Sequence, residues 1–120
     1  MKEHKKISTS TKSGSGHWIL QRVSAIALIP LVIWLVLSSL QIAKDPTYMS
    51  IFFAYPFNTI AAILFVGFSL YHGTIGLQVV FEDYVSNKGK RFLYIILVNL
   101  ISIVTFVATL VAVLRLHLVG

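Results

Sequence analysis

The sequence predicts an all-α integral membrane protein with three transmembrane helices. Composition and charge placement carry that reading. Of 120 residues, 57% are hydrophobic and 12% charged, and the charges sit in a few patches. No Asp, Glu, Lys or Arg occurs in residues 23–43, 46–81 or 92–114. A spanning helix needs about 20 apolar residues to cross about 30 Å of hydrocarbon, and each run is long enough. Strands are excluded by pattern. Barrel strands alternate apolar and polar positions over about 10 residues, whereas "AILFVGFSL" and "LYIILVNLISIVTFVATLVAVL" are apolar on every face. At this length the chain forms one folding unit at most.

The elements follow in order. Residues 1–16, "MKEHKKISTSTKSGSG", are Lys, Ser, Thr and Gly with little apolar content, which predicts a flexible cytoplasmic tail. The membrane anchor is expected over 17–120, with spans at about 18–43, 56–81 and 92–116. The first starts near Trp18, an interfacial aromatic, and contains Pro30, whose kink neighbouring helices can accommodate. It starts too late and runs too long for a cleaved signal peptide, and no clear small-x-small site follows it. "KDPTYMS" is a turn, and "IFFAYPF" (51–57) suits the interface, with Pro56 fitted to the first turn of the second span. "EDYVSNKGKR" reads as a polar loop before the third span.

Orientation follows from Lys and Arg in the short flanks. Lys2, Lys5, Lys6, Lys12 and Arg22 lie before or at the start of the first span, and Lys88, Lys90 and Arg91 lie between the second and third. The opposite side carries Lys44 and Arg115. The N-terminus and the second loop are therefore expected in the cytoplasm, with the C-terminus outside. The net charge of +6 is a topology signal and a contact with anionic lipid, so nucleic acid is not an implied partner. The chain has no cysteine, which excludes disulfides, thiolate-held iron–sulfur clusters and covalent c-type haem on it.

One ionisable group stands deep in the second span. His72 follows Pro56 by sixteen residues, and at about 1.5 Å per residue it lies roughly 15 Å below the cytoplasmic surface. Ionisable groups at that depth face protein and usually have a function. A lone imidazole suits a proton relay, a structural hydrogen bond or a metal ligand. A relay wants further titratable groups at depth, and this chain supplies none. Ser69, Gly73 and Gly76 surround it with small residues, which admit either a flat macrocycle or another helix.

Near the cytoplasmic end, Arg22 has a guanidinium suited to paired carboxylates such as haem propionates, or to lipid headgroups. His17 is a weaker second candidate. Asp83 follows His72 by eleven residues, and at about 100° per step the two share a helical face to within about 20°. Tyr84 adds a phenol that can donate to a carbonyl oxygen and a flat surface for an aromatic ligand. As a pair these two also suit ordinary decoration of a helix end.

Together, "GSGHWILQRVSAIALIPLVIW" (14–34) and "LYHGTIGLQVVFEDYV" (70–85) resemble the smaller hydrophobic membrane-anchor subunits of succinate dehydrogenase. The shared pattern is an Arg opening helix one, then His, Gly four residues on, and Asp-Tyr at eleven and twelve. The likeness implies a complex in the bacterial inner membrane, serving the tricarboxylic acid cycle and the respiratory chain. In it a flavoprotein subunit oxidises succinate and an iron–sulfur subunit passes electrons on. Two three-helix anchors, this chain and a cytochrome b partner, share one b-type haem and reduce ubiquinone. By the same likeness His72 is the axial ligand of the haem iron and Arg22 lies near the propionates. Tyr84 donates to a quinone carbonyl, and Asp83 orders the quinone site.

Two alternatives remain beside it. A fumarate reductase anchor shares the architecture, although some such anchors lack haem. A small transporter or ion-pathway subunit wants a carboxylate inside a span, whereas Glu3, Asp45, Glu82 and Asp83 all lie outside. The chain is not expected to be an enzyme alone, since it shows no flavin or nucleotide motif and no dicarboxylate-binding cluster.

Overall fold

The computed structural model describes residues 2–119, with side chains for residues 18–119. Four helices follow one another: α1 (Lys2–Lys44), α2 (Tyr48–Ala54), α3 (Pro56–Tyr84) and α4 (Lys88–Val119). Three segments are long and apolar enough to cross a membrane: Trp18–Lys44, α3 and α4. At about 1.5 Å per residue they measure roughly 40–48 Å, more than the hydrocarbon thickness, so their ends reach the headgroup layer.

The boundaries differ from the sequence expectation in informative places. α1 spans Lys2–Lys44, and its membrane-crossing segment is Trp18–Lys44. The helix also runs through Pro30. The loop expected over 82–91 shrinks to residues 85–87. Glu82, Asp83 and Tyr84 complete the last turn of α3, which closes with the Val85 N–H on the Phe81 carbonyl at 3.0 Å. Asn87 then starts α4, its Oδ1 accepting from the Lys90 N–H at 3.1 Å and its carbonyl from Arg91 at 2.9 Å. A side-chain acceptor on an otherwise orphaned N–H is what lets a helix begin there. Charged residues therefore extend the helix into the interface, where hydropathy alone had ended it.

Between spans one and two, Asp45 Oδ1 accepts from the Thr47 N–H at 3.2 Å and its hydroxyl at 2.6 Å, tightening the turn. The short helix α2 then folds back, and Pro56 opens α3 at its first turn. α3 is the centre of the molecule, with α1 and α4 packed on it. Both seams are antiparallel, and small or polar residues line them. Gly67 lets Phe106 approach so closely that a Cβ there would stand 3.3 Å from Cε2. Thr74 and Ser102 share a hydrogen bond at 2.9 Å. Trp34 Nε1 donates to Asn58 Oδ1 at 3.3 Å, and Asn58 Nδ2 donates to the Phe52 carbonyl at 2.9 Å.

The end remote from Tyr84 is closed by α2. Phe52 stacks on Trp34 with centroids 5.8 Å apart and meets Phe53 edge-on at 5.1 Å. The Phe53 carbonyl accepts from Thr59 Oγ1 at 2.8 Å and from His117 Nδ1 at 2.8 Å. These bonds tie α4 and α3 to α2 at this end of the bundle. Ile26, Ile33, Leu37, Ile101 and Val104 point outwards. That is expected where acyl chains or another membrane subunit form the surroundings.

Candidate functional site

The site is built on the α1–α3 seam. α3 carries His72 where α1 presents Ser24, and His72 Nδ1 lies 3.1 Å from Ser24 Oγ. The serine is 2% exposed, and its Oγ also lies 2.9 Å from the Gln21 carbonyl. A carbonyl oxygen only accepts, so the single hydroxyl hydrogen belongs to that bond. Ser24 Oγ is then the acceptor for His72 Nδ1–H, and the lone pair of the ring resides on Nε2. A neutral imidazole with one nitrogen anchored and the other free is the form that binds a metal.

Two glycines shape the space around it. Gly76, one turn further along α3, faces α1, where a Cβ would lie 3.9 Å from Gln21 Nε2. Gly73 has no neighbouring atom within 4 Å of a would-be Cβ, so the backbone next to the imidazole is open on that side. Among the described residues, Gln21 Oε1 is buried without a hydrogen-bond partner.

Asp83 and Tyr84 lie on the last turn of the same helix, roughly 16–18 Å along its axis from His72. Tyr84 is 83% exposed, so its ring and hydroxyl are available to something outside the chain. Glu82, beside them, accepts from Gln78 Nε2 at 3.1 Å. A groove of about 450 Å³ between Glu82, Lys88, Arg91, Phe92 and Ile95 adjoins this turn. A second, of about 340 Å³, runs along the α3–α4 seam past Gly67, Tyr71, Thr74 and Asn99. Neither includes His72 or Tyr84.

Arg22 stacks its guanidinium over Trp18, 5.0 Å from the ring centroid. It stands two residues from Ser24, about 200° around α1, so it faces away from the seam that holds His72. Within this chain, then, the structure joins His72 to Ser24, whose hydroxyl also bonds the Gln21 carbonyl, and leaves Arg22 on an outer face. The side chain of His17 lies outside the described residues. Sequence reasoning missed Ser24 and Gln21. The available signal was two polar residues at i and i+3 in a span otherwise apolar, a spacing that puts both on one face.

Among the described residues no three His, Cys, Asp or Glu side chains converge as a metal site.

Comparison with known proteins places the chain in a family. A profile of the succinate dehydrogenase/fumarate reductase transmembrane subunit family matches residues 1–112. The succinate dehydrogenase hydrophobic membrane anchor subunit of Rickettsia conorii is 42% identical over 109 residues, covering 89% of this chain and 86% of that protein. The corresponding subunit of Rickettsia bellii is 44% identical over 105 residues, covering 87% and 84%. A succinate dehydrogenase membrane anchor subunit of Reclinomonas americana is 37% identical over 98 residues, covering 78% and 81%. With three spanning helices and matches of this extent, the chain is a multi-pass membrane protein that belongs to the succinate dehydrogenase/fumarate reductase transmembrane subunit family.

Proposed function

We propose that the chain is one of two membrane anchors of a succinate:quinone oxidoreductase in a bacterial cytoplasmic membrane, contributing half of a b-type haem site and part of a ubiquinone site. The observation that carries this is a single helix bearing, midway along its apolar length, an imidazole held through Nδ1 by Ser24, whose Nε2 makes no hydrogen bond among the described residues, and an exposed Asp-Tyr pair at its end. Names borne by the relatives favour the succinate enzyme over a fumarate reductase or a transporter.

Each residue then has a task. His72 would hold the haem iron from within α3, and the cytochrome b anchor would supply a further ligand. A bound haem adds a one-electron carrier between the soluble subunits and quinone. The open backbone at Gly73 leaves room for a flat group beside the ring. Arg22, turned away from its own α1–α3 seam, is placed to meet propionates only if the haem extends around the outer face of α1. Tyr84 donates its phenolic hydrogen to a quinone carbonyl oxygen, a bond that strengthens as negative charge builds there. Asp83 orders that pocket and borders the water from which protons come.

The Lys/Arg asymmetry supports a cytoplasmic N-terminus and a cytoplasmic position for residues 85–87. Tyr84 then faces the side on which the flavoprotein and iron–sulfur subunits dock. The test is the optical spectrum of the purified four-subunit complex carrying His72→Ala. The low-spin signature of two imidazole ligands should disappear or change spin state. An unchanged spectrum would exclude His72 as the ligand.

A further inference from the structure

We propose that Ser24 is a positioning residue that holds His72 in the Nδ1–H tautomer, so that the Nε2 lone pair is presented as a metal ligand. The proposal rests on the haem reading above and adds to it a residue on a different helix. Three observations support it.

The first is geometric. Ser24 Oγ is 2.9 Å from the Gln21 carbonyl and 3.1 Å from His72 Nδ1. If the hydroxyl donated to the imidazole instead, Oγ and the carbonyl oxygen would face each other at 2.9 Å with lone pairs only. The arrangement is satisfied by one proton placement: Ser24 to Gln21, and His72 to Ser24. The second is burial. At 2% exposure Ser24 is sealed in the seam, and no water competes for either bond. The third is rigidity. α1 and α3 also meet where Gln21 lies beside Gly76 and where Trp34 bonds Asn58, on either side of the Ser24–His72 contact. The two atoms are therefore held in register from both directions.

A hydrogen-bond acceptor on the remote nitrogen fixes ring orientation and raises the basicity of the ligating one. More basic ligation favours the ferric over the ferrous state. Ser24 should therefore both retain haem and lower its reduction potential.

The experiment uses the whole complex, purified at equal flavin content, with Ser24→Thr, Ser24→Val and His72→Ala. Threonine and valine have nearly the same shape and differ in the hydroxyl, so packing effects are common to both. The readouts are haem per flavin, the rate of haem loss to an apo-globin acceptor, and the haem midpoint potential by redox titration. Ser24→Thr should match the wild type. Ser24→Val should weaken haem binding by about 10-fold or more and shift the midpoint potential upwards. Thr and Val variants that behave alike, whether both intact or both impaired, overturn the role of Ser24. If they behave alike while His72→Ala loses its low-spin spectrum, ligation stands and only the tautomer lock fails. If His72→Ala keeps that spectrum, the haem reading fails and this proposal falls with it.

Discussion

Replacing Tyr84 with Phe separates a quinone contact from a helix-end ornament. The side chain is 83% exposed, so deleting the hydroxyl removes little packing within the chain, and α3 already closes through the Val85 N–H on Phe81. The effect should fall on whatever the hydroxyl meets outside. A hydrogen bond of ordinary strength contributes about 1 kcal/mol, and leaving its acceptor unpaired in a closed pocket costs about 1–3 kcal/mol. At about 1.4 kcal/mol per decade of rate, the loss in quinone reduction is about 5- to 150-fold if the bond forms mainly in the transition state. The assay compares succinate:ubiquinone reductase activity with succinate oxidation by an artificial acceptor that takes electrons from the soluble subunits. Only the first should fall, in membranes holding equal amounts of assembled complex. If Tyr84→Phe leaves both activities at wild-type levels, the phenol is not a quinone ligand and the reasoning is refuted.

Two further outcomes test the architecture. Reporter fusions at Lys88 should read cytoplasmic and fusions after Gly120 exported, and the reverse at both would overturn the orientation drawn from the Lys/Arg flanks. Asn58→Leu should lower the thermal unfolding midpoint of the complex, because it strands the Trp34 N–H and the Phe52 carbonyl. Interhelical bonds in membranes average about 0.6 kcal/mol each, to about 1.7 at most, so about 1–3 kcal/mol is at stake. Adding Trp34→Phe removes one stranded donor and should recover part of the loss.

The three spans were legible because charge is excluded from hydrocarbon, and a run without Lys, Arg, Asp or Glu is a direct record of that exclusion. The ends of α3 and α4 were not. Hydropathy stops at the last apolar residue, whereas the helix stops where its backbone groups find caps, and those depend on Asn87 and Val85. His72 was legible for its rarity at depth. Ser24 was not, because a serine in a span is equally a packing residue, and only the pairing of α1 with α3 shows which faces meet. Arg22 illustrates the same gap. Its position along the helix axis is readable, but its rotation, which sends it to Trp18, needs the seam.

α3 carries the imidazole and the Asp-Tyr pair on one uninterrupted rod, which makes the helix a ruler with two marks. Lengthening the rod by one residue between positions 73 and 82 would turn Tyr84 by about 100° and raise it by about 1.5 Å relative to His72. Substitution within that interval leaves the spacing intact, whereas insertion or deletion does not. Residues 85–87 lie beyond the second mark, so extra length there changes neither distance nor bearing. The permitted variation of this chain is therefore uneven in kind: a substitution along α3 keeps the spacing of the two marks, but residue count can change freely only in its connections.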